Sequence, residues 1–124
     1  MRFLSPEWLA AAATLVDGVE AGASPAATVV QHITGGPTGD VVYRMVVDGS
    51  VSLVMGDTAD PEAVILTESW DTAVAINTAR LTPHEAVLSG LLVVTGDRSV
   101  ISELAPVFAA IALVLSELRP ATTF

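Results

Sequence analysis

The sequence predicts an α+β protein with a five-stranded, mostly antiparallel sheet and helices packed on one face, in the order α-β-β-β-β-α-α-β-α. Short apolar or β-branched runs bounded by Gly or Pro turns occur five times. Helical segments, which have apolar residues every three or four positions, lie before, between and after those runs. Since no linker, repeat or low-complexity tract divides the chain, residues 1–124 are expected to form a single domain.

The first helix has a clear start and end. Ser5 is the expected N-cap, Pro6 suits the first helical position, and Glu7 lies near the positive end of the helix dipole. Gly18 and Gly22 follow as terminating residues. The apolar positions between them have helical spacing: Trp8, Leu9, Ala12, Leu15, Val16 and Val19.

Three strands come next, and the parity of their pattern constrains one turn. Residues 27–33 form the first strand, residues 35–39 a turn, and residues 41–47 and 51–55 a hairpin around Asp48-Gly49. An odd-length loop or a bulge predicts one wholly apolar face, whereas a two-residue loop would mix apolar residues with serines. The residues of that face are Tyr43, Met45, Val47, Val51, Leu53 and Met55.

The middle of the chain predicts a fourth strand, two short helices and a fifth strand. The fourth strand covers residues 63–66, and Ser69 caps a helix over about residues 70–80. Residues 82–85 form a capping box with proline at the first helical position, which opens a helix that ends at Gly90. Residues 91–95 are continuously hydrophobic, which predicts a strand buried on both faces.

The last helix begins after the N-cap Asp97, reaches about Leu118, and should kink or restart at Pro106. One seam has the spacing that binds a helix to a sheet: Ile101, Leu104, Phe108, Ile111, Leu115 and Leu118. The other sides are apolar as well, which predicts a helix buried all round. A lipid-filled cavity, a homodimer interface or plain core under a loop would each provide that burial.

The charge balance excludes one class of partner. The chain has a net charge of −9, with 14 acidic residues against five scattered arginines and no lysine. Such a surface repels nucleic acid, so no nucleic-acid partner is expected. There is no cysteine, and hence no disulfide or thiolate metal site.

Few residues are suited to catalysis or metal binding. His32 and His84 are the only side chains that ordinarily titrate near neutrality, and a capping-box position explains His84. Residues 57–62 contain three carboxylates without the spacing of a calcium loop. No nucleophile elbow, zinc motif or phosphate loop occurs. We therefore expect no catalytic residue, metal or cofactor.

The expected location is the cytoplasm. Residues 1–6 lack the apolar core of a signal peptide. The longest apolar run, Leu104 to Leu115, is much shorter than the roughly 20 residues of a transmembrane helix.

Two segments resemble the sterol carrier protein type-2 family. Residues 86–97 (AVLSGLLVVTGD) are similar to the family's short helix, glycine, strand and Gly-Asp turn, and residues 63–70 (AVILTESW) to its strand that turns into a helix. The order of elements is similar over nearly the whole chain. The resemblance implies non-covalent binding of a sterol, fatty acid or other lipid in a hydrophobic tunnel closed by the last helix, with lipid transfer as the related role.

Together these observations predict a lipid-binding protein that is not an enzyme. The candidate ligand-binding residues are Tyr43, Met45, Leu53, Met55, Trp70, Leu88, Leu104, Phe108, Ile111 and Leu115. One alternative is a small isomerase or cyclase that acts on a hydrophobic metabolite, which would need His32, Tyr43 or a buried carboxylate facing the cavity. Another is a structural subunit that dimerises through the last helix.

Overall fold

The computed structural model describes residues 1–124 and confirms the predicted order of elements. The last predicted helix is divided in two and continues into a 3-10 helix, Ser116–Ala121. The other elements are α1 (Pro6–Val16), β1 (Ala27–Gly36), β2 (Gly39–Asp48), β3 (Ser50–Met55), β4 (Val64–Ser69), α2 (Trp70–Asn77), α3 (Pro83–Leu88), β5 (Leu92–Thr95), α4 (Arg98–Glu103) and α5 (Ala105–Leu115).

The five strands form one mixed sheet in the order β3-β2-β1-β4-β5. Strands β1 and β4 are parallel, and the other three pairs of neighbours are antiparallel. The sheet is thus mostly antiparallel, as predicted.

One face of the sheet carries the core. Directly paired residues point to the same side, so the register aligns Val29 of β1 with Met45 of β2, Leu53 of β3 and Val64 of β4. We call this side the inner face. Helix α1 packs against β3 and α5, and it adds four buried residues to the core: Trp8, Leu9, Ala12 and Val16.

The hairpin between β2 and β3 has the odd turn that the sequence predicts. Asp48 pairs with Ser50, which leaves Gly49 alone between them at a φ of +73°, a conformation that glycine adopts without strain. The predicted apolar face is confirmed by the cross-strand pairs Tyr43 with Met55, Met45 with Leu53, and Val47 with Val51.

The predicted helix starts are confirmed by side-chain hydrogen bonds. Ser5 Oγ accepts from the Trp8 amide at 3.2 Å. Thr82 Oγ1 accepts from the Glu85 amide at 3.1 Å and donates to Glu85 Oε1 at 2.9 Å. These bonds satisfy amides that have no partner within the helix, and they fix where α1 and α3 begin.

The prediction that the fifth strand is buried on both faces is wrong. Strand β5 lies at the edge of the sheet and has a neighbouring strand on one side only. Leu92 and Val94 point inward, whereas Val93 is exposed. The continuous apolar run therefore predicted a central strand, but β5 is an edge strand.

The last helix differs from its prediction in one respect. It breaks at Leu104, just before Pro106, as the proline predicts. It is not buried all round, because Leu113 on its outer side is 73% exposed. No helix of the protein has both the length and the apolar character needed to cross a membrane.

The two ends of the chain meet over an aromatic cluster. The ring of Phe3 lies 5.1 Å from Trp8, 5.3 Å from Trp70 and 5.1 Å from Phe124, measured between ring centroids. The Phe3 amide donates to the Thr123 carbonyl at 2.8 Å. These contacts join the ends of the chain to α1 and to the start of α2.

Candidate functional site

A cavity of about 280 Å³ lies between the inner face and the helices that follow β4. Its floor is formed by the sheet residues Gln31, Met45, Leu66, Glu68, Leu92 and Val94. Residues from α2, α3, α4 and α5 form the walls, and 11 of the 17 lining residues are hydrophobic. The cavity is thus an apolar chamber with a few polar groups.

The position of the cavity follows from which helices cover which strands of the sheet. Helix α1, with 11 residues, covers the side of β3. The side of β4 and β5 is covered by α2 and α3, which have only eight and six residues. These short helices and α5 enclose a space over β4 and β5 that their side chains do not fill.

The cavity opens where its lining reaches the surface. Four residues both line the cavity and are exposed: Pro83, Ala112, Ser116 and Arg119. Three of them lie on α5 and the 3-10 helix, so the mouth is at the C-terminal end of α5. Arg119 is the one basic residue of the lining.

Glu68 is the acidic residue of the cavity. It pairs with Ile33 of β1 and Leu92 of β5, which puts its side chain on the inner face, and it is only 9% exposed. Its Oε2 is buried and receives no hydrogen bond from the protein. Burial raises the pKa of the Glu68 carboxyl to about 7, because the charged form loses its hydration. Near neutral pH the carboxyl is thus poised between its neutral and charged forms.

Tyr43 and Gln31 extend the polar part of the inner face. They pair directly across β2 and β1, and Gln31 lines the cavity. Burial raises the pKa of the Tyr43 hydroxyl well above its usual range, and the nearby charge of Glu68 raises it further. Tyr43 thus stays protonated.

Four of the ten predicted ligand-binding residues come together around the cavity: Met45, Phe108, Ile111 and Leu115. Met45 comes from the floor, and the other three from one side of α5. The spacing along the last helix therefore predicted the side of α5 that lines the cavity, and the parity of the hairpin predicted that Met45 lies on the floor.

The other six lie outside the lining. Tyr43 is buried beside the cavity, Leu104 is fully buried core, and Leu53 is half-buried on the inner face of β3. Trp70 belongs to the aromatic cluster.

Two of those six point to solvent. Met55, the last residue of the edge strand β3, is 54% exposed. Leu88 is 74% exposed, because it is the last residue of α3. Neither position is near enough to the cavity to line it.

Sequence reasoning missed the polar residues of the cavity. The fourth strand was expected to end at Leu66, but it continues to Ser69. Alternation along β4 places Glu68 on the same side as Val64 and Leu66, so a longer strand would have identified it. No pattern marked Arg119, since the expected helix stopped one residue earlier.

The histidines and the acidic loop lie away from the cavity. His32 Nε2 is 3.5 Å from Asp40 Oδ2 at the surface, and His84 is exposed in the first turn of α3. Asp57 and Asp60 each accept a hydrogen bond from a backbone amide of their own loop. No three metal-ligating side chains come together in the protein.

No protein-family model matches the sequence, and no curated protein matches it. The fold is similar to a crystal structure of sterol carrier protein 2, with a TM-score of 0.71 and 16% identity over 94% of this chain and 98% of that one. It is also similar to a conserved hypothetical protein from Thermus thermophilus, with a TM-score of 0.70 and 17% identity over 95% and 90%. A palmitated sterol carrier protein 2 like 2 from Aedes aegypti has a TM-score of 0.60 and 20% identity over 90% and 94%. The chain thus has the fold of sterol carrier protein 2, as the resemblance predicted.

Proposed function

We propose that this protein binds a hydrophobic lipid without covalent attachment and carries it in the cytoplasm. The observation that carries the proposal is the apolar cavity between the inner face and α5. Such chambers, lined by apolar side chains with a few polar groups, are typical ligand sites. The solved structures with this fold support the same role, since they include sterol carrier protein 2 and a palmitated relative.

The volume of the cavity favours a slim ligand. A cavity of about 280 Å³ lies at the lower end of the range of small-molecule sites, which is about 300 to 1,000 Å³. A single alkyl chain such as dodecyl is slim and flexible, so it suits a small cavity with an open mouth. A sterol has a wider and rigid four-ring body. We therefore propose single-chain lipids as the first class to test.

The expected affinity suits a carrier. Burying about twelve methylene groups gives about 10 kcal/mol, at about 0.8 kcal/mol each. Subtracting about 4 kcal/mol for association leaves about 6 kcal/mol, which corresponds to a dissociation constant of tens of micromolar. A ligand held this weakly is released readily.

The first experiment is mass spectrometry of lipid extracted from the purified protein, combined with thermal melts in the presence of dodecanol. A ligand that binds only the folded state raises the melting temperature. If no lipid is extracted and neither dodecanol nor dodecanoic acid shifts the melt, the proposal is wrong for single-chain lipids.

A matched pair of variants on α5 tests the location. Leu115 lines the cavity, whereas Leu113 points to solvent on the same helix. We expect Leu115→Trp to weaken dodecanol binding about tenfold or more, because the indole occupies space that the ligand needs. Leu113→Trp should bind as the wild type does. Equal binding by all three proteins in a calorimetric titration would place the ligand elsewhere.

One observation favours an enzyme as the second candidate. A carboxyl in an apolar cavity with a pKa raised to about 7 is suited to act as a general base or acid near neutral pH. An isomerase would exchange a carbon-bound proton of its ligand with solvent. Deuterium incorporated from heavy water into a lipid recovered from the protein, and absent with Glu68→Gln, would favour the enzyme over the carrier.

A further inference from the structure

Glu68 is the most isolated polar group of the molecule. Its Oε2 is the one fully buried side-chain oxygen or nitrogen without a hydrogen-bond partner. A buried acceptor without a donor is costly, and such groups in folded proteins usually have a partner. The cavity is the space from which a partner can reach this side chain, because Glu68 is part of its lining.

We propose that Glu68 anchors the head group of the ligand, and that the ligand is an uncharged lipid alcohol whose hydroxyl donates to Oε2. This assignment rests on the proposed function and names the class of lipid that the cavity prefers. The hydroxyl enters first, because Glu68 is buried whereas Arg119 and Ser116 at the mouth are exposed. The chain then lies along the apolar residues between Glu68 and the mouth.

The groups around Glu68 favour a hydroxyl over a charged head group. Tyr43 on β2 stays protonated, so it brings no charge, and Gln31 on β1 is neutral. Helices α2, α3, α4 and α5 and strand β5 contribute no charged side chain to the lining. Arg119 of the 3-10 helix is therefore the only charge besides that of Glu68.

Each kind of charged head group meets a penalty in this cavity. A carboxylate that reaches Glu68 is repelled by its ionised form, and an ammonium can pair with that form only if both charges lose their hydration. A hydroxyl meets neither penalty. Because burial raises the pKa of Glu68 to about 7, repulsion of a carboxylate should increase as the pH rises through neutrality.

The test compares dodecanol, dodecanoic acid and dodecylamine by calorimetric titration at about pH 6 and about pH 8, on either side of the Glu68 pKa. We expect the wild type at the higher pH to bind the alcohol about tenfold tighter than the acid or the amine. The acid should gain affinity at the lower pH. Glu68→Gln should remove this pH dependence, and Glu62→Gln, the same change at an exposed position, should retain it.

Glu68→Leu gives a second measurement, because it removes the acceptor without adding charge. The alcohol should then lose about tenfold in affinity, provided that the melt shows a folded protein. Tighter binding of the acid or the amine than of the alcohol at the higher pH would overturn the choice of an alcohol, and unchanged alcohol binding by Glu68→Leu would overturn the anchor. If none of the three ligands binds the wild type, the proposed function itself fails. If the three ligands bind the wild type equally well, only the role of Glu68 as an anchor is contradicted.

Discussion

The Glu68 carboxyl connects the stability of the fold to pH. Its pKa rises from an ordinary value of 4.5 to about 7 on folding, so the folded state binds its proton more tightly than the unfolded state does. The protonated carboxyl therefore makes its full contribution to the stability of the folded state below about pH 4.5, and this contribution is lost as the pH rises through about 7. A shift of this size corresponds to about 3 kcal/mol, at about 1.4 kcal/mol per pH unit.

Replacing the carboxyl with an amide should remove that dependence. We expect Glu68→Gln to raise the free energy of unfolding by up to about 3 kcal/mol at about pH 8 relative to the wild type, with little difference at about pH 4. Urea denaturation of both proteins across this range measures the difference. A constant difference at all pH values would show that Glu68 is not a buried titrating group.

Residue by residue, the sequence predicted the apolar side of the site better than its polar side. Met45, Phe108, Ile111 and Leu115 were recognised because alternation and helical spacing report which residues point inward. The partner of a polar group depends on neighbours in space, which spacing along the chain does not report. Glu68 thus fell outside the predicted strand, which ended at Leu66, although it lies on the inner face of β4.

Among the elements, signals that are local in the sequence predicted where helices start and where the hairpin turns. Patterns of apolar residues predicted the burial of whole elements less well. The caps at Ser5 and Thr82 and the odd turn at Gly49 depend on residues close in sequence, and all three are confirmed. The environment of β5 depends on its place in the sheet. Its apolar run resembles that of a central strand, but β5 is an edge strand.

Helix α5 supplies one wall of the cavity, and Phe108 tests how closely that wall is packed. Phe108 is half-buried and lines the cavity, so truncation enlarges a space that already exists. We expect Phe108→Ala to cost less than the about 3 to 5 kcal/mol that is typical of a packed phenylalanine. Binding should shift toward bulkier ligands than dodecanol.

Val107 provides the control for Phe108, because it precedes it on α5 and is buried in the core. Val107→Ala should show the full cost of a core truncation and leave the choice of ligand unchanged. Chemical denaturation and titration with a set of alcohols of increasing bulk measure both effects. A loss of about 4 kcal/mol or more for Phe108→Ala would indicate solid core instead of a cavity wall.

At the scale of the whole molecule, the pattern of the sequence predicted the order of elements, and the structure adds how they are paired. The parallel pairing of β1 with β4 brings Gln31 next to Leu66 and places β4 and β5 beyond the first hairpin. That arrangement leaves one half of the sheet to short helices and so creates the cavity. Parallel pairing is non-local, and no adjacent turn signals it.

The surface of α5 does not favour the homodimer that the sequence left open. Helix α5 uses most of its apolar residues against the core and the cavity, and it exposes one large apolar side chain, Leu113. A stable interface buries about 800 Å² on each partner, far more than one leucine supplies. The net charge of −9 also repels a second copy. We therefore expect sedimentation equilibrium to give the monomer mass of 12.8 kDa over a wide concentration range. A mass that doubles with concentration, and returns to the monomer in Leu113→Glu, would instead establish a dimer through α5.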